Sequence, residues 1–216
     1  KDESAYVTFD GYAGNVIADD LIPYGPFDTN LVSYTFDAGN GFSGIISLET
    51  GEDDGDPDTG YEIDSYVPHI VGGVKYAGAW GAVSGVVGYD SVSEEYAGKV
   101  RVDVNVNEQI SLFVMGGYGT DDNVATSNYK PWGGNWAIWG GASYKLNEKA
   151  SVNAQASYDE GTGTDGDWGV AANVDYELVK GFHIIPEITY SDYAAVATSA
   201  PGTEGFGGMV RFQRNF

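Results

Sequence analysis

Two histidines, His69 and His183, are the side chains in this sequence that could act as bases near neutral pH. They lie far apart in the chain, and a serine hydrolase would need a serine, a histidine and an orienting polar group brought together. Ser157 and Asp159 lie on a different segment from His183, and no other feature of the sequence marks them as its catalytic partners. Cysteine is absent, which removes thiol nucleophiles and cysteine metal sites. The sequence therefore does not predict an enzyme.

The densest acidic run falls in a long loop and consists of Glu52, Asp53, Asp54, Asp56 and Asp58. Carboxylate oxygens are ligands that Ca²⁺ and Mg²⁺ prefer, so one interpretation is a divalent cation that links this loop to anionic lipid head groups. The other interpretation is a solvated loop tip. The spacing does not match an EF-hand loop, which requires a Glu at its last position. We predict no specific metal site and no cofactor.

Composition limits both the partners and the class of protein. The 216 residues include 32 Asp and Glu against 10 Lys and Arg, a formal net charge of -22. Such a chain repels a phosphate backbone, so nucleic acid is excluded as a general partner. A hydrophobic content of 42% with 14% aromatic residues excludes a disordered acidic protein. The length suits one ordinary domain or one membrane barrel.

Apolar and polar residues alternate along most of the chain, which is typical of β-strands with two different faces. In residues 99–104, for example, three valines alternate with Lys99, Arg101 and Asp103. No run approaches the ~18 to 20 consecutive apolar residues of a membrane-spanning helix. The alternation predicts twelve strands, at residues 4–9, 30–37, 42–49, 66–76, 79–90, 96–106, 110–119, 135–146, 150–159, 167–179, 182–193 and 205–216.

The connections between these strands alternate in length. Tight turns rich in Asn and Gly alternate with longer connections at residues 10–29, 50–65, 91–95, 120–134, 160–166 and 194–204. An antiparallel meander then gathers all tight turns at one end and all long loops at the other, as in outer-membrane barrels. Aromatic residues near strand ends favour the same interpretation. We predict an all-β fold: one transmembrane, antiparallel, up-and-down β-barrel domain over residues 1–216. A soluble β-sandwich or β-helix is the alternative.

Three stretches resemble a known family. Residues 9–20 (FDGYAGNVIADD), 131–136 (PWGGNW) and 209–214 (MVRFQR) are similar to the alphaproteobacterial general porins, and the similarity runs the whole length of the chain. Phe212 and the terminal Phe216 share one strand parity and resemble the insertion signal of bacterial outer-membrane barrels. Arg214 departs from that signal, because most such strands carry an apolar or aromatic residue there.

The resemblance implies a sixteen-stranded homotrimer in the bacterial outer membrane, in contact with its lipid and with lipopolysaccharide. The twelve predicted strands would be strands 5–16, so we expect a fragment of a larger porin. Twelve strands that close on themselves are the alternative. The implied function is passive diffusion of small hydrophilic solutes and ions through a water-filled lumen. The rival function is a non-conducting outer-membrane scaffold or adhesin that contacts lipopolysaccharide or a partner protein.

The same resemblance implies that residues 10–29 fold into the lumen and constrict it. The acidic residues of this loop are Asp10, Asp19 and Asp20. The basic residues on the lumen-facing strand parity are Lys99, Arg101 and Arg211. Opposite charges across a narrow aqueous gap create a transverse field that orients dipolar solutes and disfavours apolar ones. The alternative is local pairing, as of Lys99 with Asp103. We predict mild cation selectivity, because Asp10, Asp19 and Asp20 would lie where the lumen is narrowest and the visible basic residues are fewer than the acidic ones.

Overall fold

The chain folds into one large antiparallel β-sheet, and the computed structural model describes residues 2–51, 62–121, 127–161, 165–192 and 205–216. Two short strands, β1 (Asp2–Glu3) and β2 (Asp28–Thr29), pair with each other, and helix α1 (Ala5–Thr8) follows β1. Within the described residues, the strands of the large sheet are β3 (Leu31–Gly39), β4 (Phe42–Glu49), β5 (His69–Gly78), β6 (Gly81–Asp90), β7 (Glu95–Asn105), β8 (Ile110–Gly119), β9 (Trp136–Asn147), β10 (Ala150–Asp159), β11 (Trp168–Val179), β12 (Phe182–Asp192) and β13 (Gly205–Arg214). Across those same ranges, no helix is long and apolar enough to cross a membrane.

The strands of the large sheet are neighbours in the order of the sequence, from β3 at one edge to β13 at the other. Each adjacent pair is antiparallel. The connections that follow β3, β5, β7, β9 and β11 therefore lie at one end of the sheet, which we call the tight-turn end. The remaining connections lie at the opposite end, the long-loop end. This order confirms the predicted up-and-down topology.

The two faces of the sheet have opposite character because the strands alternate polar and apolar residues. Paired residues of adjacent strands share a face. One such row crosses the sheet through Lys75, Ser84, Arg101, Met115, Trp139 and Ser157, on the face that we call inner. On this inner face Lys99 is only 2% exposed, whereas the next residue, Val100, is 59% exposed on the outer face. An outer face of exposed apolar side chains suits lipid rather than water.

Aromatic side chains pair across strands on the outer face at the long-loop end. The pairs are Tyr89 with Tyr96, Trp136 with Tyr158, and Trp168 with Tyr190, with ring centroids 4.8, 5.4 and 5.1 Å apart. Rings with an apolar body and a polar edge favour the boundary between hydrocarbon and water, where they form the aromatic girdle of a membrane barrel. The long-loop end of the sheet therefore has the composition of a membrane interface.

Residues 4–9 were predicted as a strand, and this prediction is wrong: they contain helix α1. Ser4 Oγ accepts the backbone N–H of Tyr6 at 3.1 Å and so caps the helix. Ala5, Tyr6 and Val7 are all buried. Three consecutive buried apolar residues do not fit a strand that has one polar and one apolar face. The large sheet accordingly has eleven strands instead of the twelve expected, within the part of the chain that the structure describes.

Residues 4–27 connect the two short strands β1 and β2, and we call them the covering segment. The pairing of β1 with β2 closes its ends, and the backbone N–H of Ser4 donates to the carbonyl of Phe27 at 2.8 Å. The segment leads into β3, whose Leu31 pairs with Glu49 at the end of β4, so it joins the sheet at the long-loop end. It starts before the predicted loop of residues 10–29, since residues 4–9 are not a strand.

The meander predicts that consecutive connections lie on opposite sides of the membrane. The 216 residues contain no cysteine. Each of two single variants therefore has one thiol within these residues: Asp165→Cys lies between β10 and β11, and Glu148→Cys lies in the turn between β9 and β10. Both native residues are exposed. In intact cells a membrane-impermeant maleimide should label D165C, and should reach E148C only after permeabilisation, because tight turns of outer-membrane barrels face the periplasm. Labelling of both thiols from one side would contradict the topology.

Candidate functional site

The covering segment lies against the inner face of the sheet. The side chains that hydrogen-bond to it are Glu49 on β4, Ser84 on β6, Lys99 and Arg101 on β7, Trp139 and Ser143 on β9, Gln155 on β10, Asn173 on β11 and Glu187 on β12. All of these side chains lie on the inner face of the sheet, and Trp139 is the one aromatic residue among them. One irregular segment is thereby fixed to seven strands of the sheet.

Carbonyl groups of the covering segment accept hydrogen bonds from side chains of the sheet. Lys99 Nζ donates to the carbonyl of Tyr24 at 2.8 Å, and Trp139 Nε1 donates to that of Ile22 at 2.8 Å. Gln155 Nε2 donates to the carbonyl of Asp19 at 2.7 Å. A buried carbonyl without a partner would be costly, and this stretch has no strand or helix to satisfy it. The inner face supplies the missing donors.

Glu187 on β12 binds two consecutive backbone amides of the covering segment. Its carboxylate accepts the N–H of Ile17 at 2.5 Å and that of Ala18 at 2.7 Å. A third donor, Asn173 Nδ2, lies 2.9 Å away and also donates to the carbonyl of Asn15. Glu187 is 2% exposed, so these charge-assisted bonds compensate its burial. Glu49 on β4, which is 1% exposed, has a similar role at the start of the segment, where it accepts the backbone N–H of Ala5 and the hydroxyl of Ser4.

Lys99 lies beneath the covering segment instead of facing water. Besides the carbonyl of Tyr24, its ammonium contacts the rings of Tyr6 and Tyr24, with Nζ 4.4 and 5.3 Å from their centroids. Aromatic faces and a carbonyl replace part of the hydration that the cation loses. The sequence placed Lys99 correctly on the inner face, but its contacts anchor the segment.

Asp10 is 2% exposed and lies on the basic side of the site. Its Oδ1 accepts the hydroxyl of Ser84 at 2.5 Å. Burial raises the pKa of Asp10, and the Ser84 bond together with the nearby charges of Lys99, Arg101 and Lys75 opposes that rise. Asp10 thus adjoins the basic residues that it was expected to oppose.

Asp19 lies near two further acidic residues, Asp20 and Glu187. Asp19 Oδ2 accepts the hydroxyl of Tyr24 at 2.9 Å, and Asp20 is exposed. The pKa of Asp19 is raised to about 6, chiefly by burial; the Tyr24 hydrogen bond opposes this rise, and the charges of Asp20 and Glu187 add to it. Two acidic residues of the predicted constriction therefore form an acidic group with Glu187, which the sequence did not single out.

Asp103 pairs locally with Arg101, and not with Lys99 as in the alternative that the sequence analysis left open. Arg101 Nη2 lies 2.8 Å from Asp103 Oδ1, and Arg101 Nε lies 2.9 Å from Oδ2. Residues two apart in a strand are neighbours on the same face, whereas Lys99 is four positions from Asp103. Arg211 lies on edge strand β13, opposite Ile185. Lys75, which the sequence analysis did not select, shares the inner row of Arg101.

Residues 127–135, between β8 and β9, form a second stretch that packs onto the inner face. The backbone N–H of Asn128 donates to Asp90 at 3.0 Å, and that of Gly133 donates to Asp159 at 2.7 Å. The Trp132 ring lies 5.6 Å from that of Trp139. The PWGGNW motif of the sequence belongs to this packed stretch. Its aromatic residue in an otherwise polar loop was the signal that could have indicated burial.

The residues considered for catalysis do not come together. His183 Nδ1 lies 2.6 Å from Asp175 Oδ1 at the tight-turn end. Asp159 is at the long-loop end, where it binds the backbone amides of Gly133 and Gly161. His69 is fully buried and accepts the backbone N–H of Ser91 at 3.0 Å. Among the described residues, no group of acidic or histidine side chains could hold a metal ion.

Two other sets of predicted residues lie outside this site. The acidic run, Glu52, Asp53, Asp54, Asp56 and Asp58, falls outside the described residues. Phe212 pairs with Ile184 on the outer face and is 67% exposed, and Phe216 follows the end of β13. Both phenylalanines are thus available to lipid or to an insertion machinery, and their role as an insertion signal stays a prediction.

Comparison with known proteins agrees with this architecture. A family model described as the porin subfamily matches residues 1–213. This chain belongs to the porin subfamily. The porin Omp2b of Brucella neotomae is 48% identical over 222 residues, and that of Brucella abortus strain 2308 is 48% identical over 224 residues. Each alignment covers 100% of this chain and 59% of the relative, so the porin chain spans about three fifths of their length.

The fold of this porin is also similar to a solved structure, the anion-selective porin from Comamonas acidovorans. The TM-score is 0.60 at 16% identity, over 99% of this chain and 66% of the other. That similarity supports the fold alone. The family confirms the resemblance found in the sequence and the outer-membrane location, because porins are barrels of the bacterial outer membrane.

Replacing Glu187 with Gln should release the porin's covering segment. The amide keeps one acceptor oxygen but loses the charge that strengthens both bonds to the segment, and its own NH₂ group repels a backbone N–H. In the full-length protein we expect amide hydrogen exchange in residues 14–20 to rise at least about tenfold. Exchange can be followed by mass spectrometry.

Glu177→Gln is the matched control for this change. Glu177 lies on β11 and accepts a hydrogen bond from the Gly181 backbone N–H, away from the covering segment. Its replacement should leave exchange in residues 14–20 at the wild-type rate. Equal exchange in E187Q and in the wild type would show that Glu187 does not fix the segment.

Proposed function

We propose that the whole protein is a general diffusion porin. In this proposal small hydrophilic solutes and ions cross the outer membrane passively through a water-filled lumen, and no cofactor is required. The observation that carries it is a covering segment bound to the polar inner face of a sheet whose outer face is apolar. Such a segment narrows an aqueous passage without closing the fold around a ligand.

The edges of the sheet belong to the same proposal. Strands β3 and β13 pair with no further strand among the described residues. An open edge in lipid leaves backbone N–H and C=O groups without partners, at several kcal/mol each. We propose that other strands of the longer protein pair with both edges and complete a sixteen-stranded barrel. A homotrimer and contacts with lipopolysaccharide are part of this proposal and are supported by the family resemblance.

The charges around the covering segment would set the ion preference. Asp19 and Asp20 lie with Glu187 on one side, and Lys75 lies with Arg101 on the other. A fixed charge acts most strongly on an ion that passes within about a Debye length, roughly 8 Å at physiological salt. In the proposed pore the acidic side is less compensated, since Asp103 already pairs with Arg101. The expected preference is for cations.

A non-conducting scaffold is the second candidate, and one observation favours it. Tyr129 and Trp132 of residues 127–135, together with the covering segment, pack on the inner face and bury residues such as Trp139. Conductance in a planar bilayer separates the two candidates, because a filled barrel remains silent at every salt concentration. Steady conductance that scales with salt supports the porin.

Replacing both Asp19 and Asp20 with Asn should lower the ratio of cation to anion permeability at low salt. The change removes two negative charges from the proposed constriction while nearly preserving side-chain shape. Reversal potentials under a KCl gradient measure the ratio. The control is Glu108→Gln with Glu148→Gln, which removes the same charge at the tight-turn end and should change the ratio much less. Equal reversal potentials for D19N/D20N and wild type would remove these residues from the proposal.

Cation preference should also fall as the pH is lowered from 7.5 to 5. The pKa of Asp19 is about 6, raised chiefly by burial, so its carboxylate is charged at the upper pH and largely neutral at the lower one. Reversal potentials at the two pH values give the change. Asp19→Asn should weaken this pH dependence, and Asp37→Asn in the tight-turn region should retain it. An identical pH dependence in D19N would assign the titration to another group.

A further inference from the structure

A polar cavity lies between the covering segment and the inner face, on the side of the tight turns. Its volume is about 220 Å³. The polar side chains that line it are Asn15, Arg101, Asp103, Asn105, Ser111 and Ser143. They come from the tip of the segment and from three adjacent strands, β7, β8 and β9. The cavity is smaller than the ~300 to 1,000 Å³ of sites for drug-sized ligands, so it fits one small molecule.

The guanidinium of Arg101 is fixed within this cavity before any solute arrives. Besides its contacts with Asp103, Arg101 Nη1 donates to the carbonyl of Tyr12, and the guanidinium carbon lies 4.5 Å from the centroid of the Phe113 ring. A guanidinium has five N–H donors, and the partners described leave one on each terminal nitrogen. A donor and an acceptor, the Asp103 carboxylate, therefore stand side by side in the cavity wall. Little side-chain freedom remains to be lost on binding.

The charge balance of the cavity indicates the kind of solute. Arg101 and Asp103 carry opposite charges and are bonded to each other, while Asn15, Asn105 and Ser111 are neutral. An ion of either sign gains little net attraction, and an apolar solute leaves the polar groups without partners. We propose that this cavity is a binding subsite for a neutral polyhydroxylated solute of monosaccharide size. The inference rests on the proposed pore and names a class of solute for it.

The binding mode follows from the pairing of donor and acceptor. One hydroxyl accepts an N–H of Arg101, and the adjacent hydroxyl donates to Asp103. Asn105 and Ser111 bind further hydroxyls at the tight-turn side, where a solute that has passed the covering segment would arrive. Hydroxyl groups are both donors and acceptors, so a vicinal diol matches this wall whereas a carboxylate, which only accepts, leaves Asp103 unmatched.

The experiment measures glucose binding to the full-length protein in a planar bilayer. Glucose that occupies the subsite should partly block KCl current and add noise that saturates with concentration. In Asn105→Ala with Ser111→Ala, the half-saturating concentration should rise at least about fivefold, because two hydrogen bonds are lost while the ion pair is kept. The control is Ser33→Ala with Ser43→Ala, on inner-face positions outside the cavity, and it should bind glucose as the wild type does.

Each outcome is decisive for one of the two proposals. A conducting wild type whose current shows no saturable response to glucose overturns the subsite and leaves the porin standing. Equal half-saturation in N105A/S111A and wild type also overturns it. Block by acetate but not by glucose would assign the cavity to anions and overturn the solute class. A protein silent in KCl would instead contradict the proposed pore, and glucose binding would then be measured by calorimetry with the same variants.

Discussion

The hydrogen bonds between inner-face side chains and the backbone of the covering segment are the interactions on which this structure depends. A stretch of more than twenty residues with one helical turn has many peptide groups to satisfy, and water is largely excluded where it meets the sheet. Lys99, Trp139 and Gln155 supply donors to its carbonyls, and Glu187 accepts from its amides. The polar side chains of the inner face therefore hold the covering segment in place as well as contacting water.

This arrangement makes the buried charges interdependent. Glu187 and Lys99 are each 2% exposed, and a charge without compensation at such burial would destabilise the fold. The segment provides the compensation as amides for Glu187 and as a carbonyl and two rings for Lys99. Conversely, the segment has no regular structure of its own to keep it in place. Sheet and segment stabilise each other, so loss of one attachment weakens the next.

The sequence predicted the strands well and the site only in outline. The alternation of polar and apolar residues shows which face of the sheet each side chain occupies. This is sufficient to predict an up-and-down sheet, since β3 to β13 pair in chain order. It does not report what covers that face, so Lys99 was assigned to water although it lies under Tyr24. It also does not rank polar residues: Glu187 has the same parity as Asp175, and only the fold brings Ile17 to it. Residues 4–9 were assigned wrongly because Ser4 caps a helix in a stretch too short to show a period.

The distribution of charge around the segment follows from the same attachments. Asp10 lies among basic residues, because the Ser84 hydroxyl and the neighbouring cations offset the cost of burying its carboxylate. Its negative charge, with that of Asp103, nearly balances the cations on that side. The charges that act on Asp19 are those of Asp20 and Glu187, and both are negative. The field across the segment therefore arises mainly from its acidic side, and the sheet contacts of Gln155 with Asp19 and of Glu187 with Ala18 hold the backbone that carries those carboxylates.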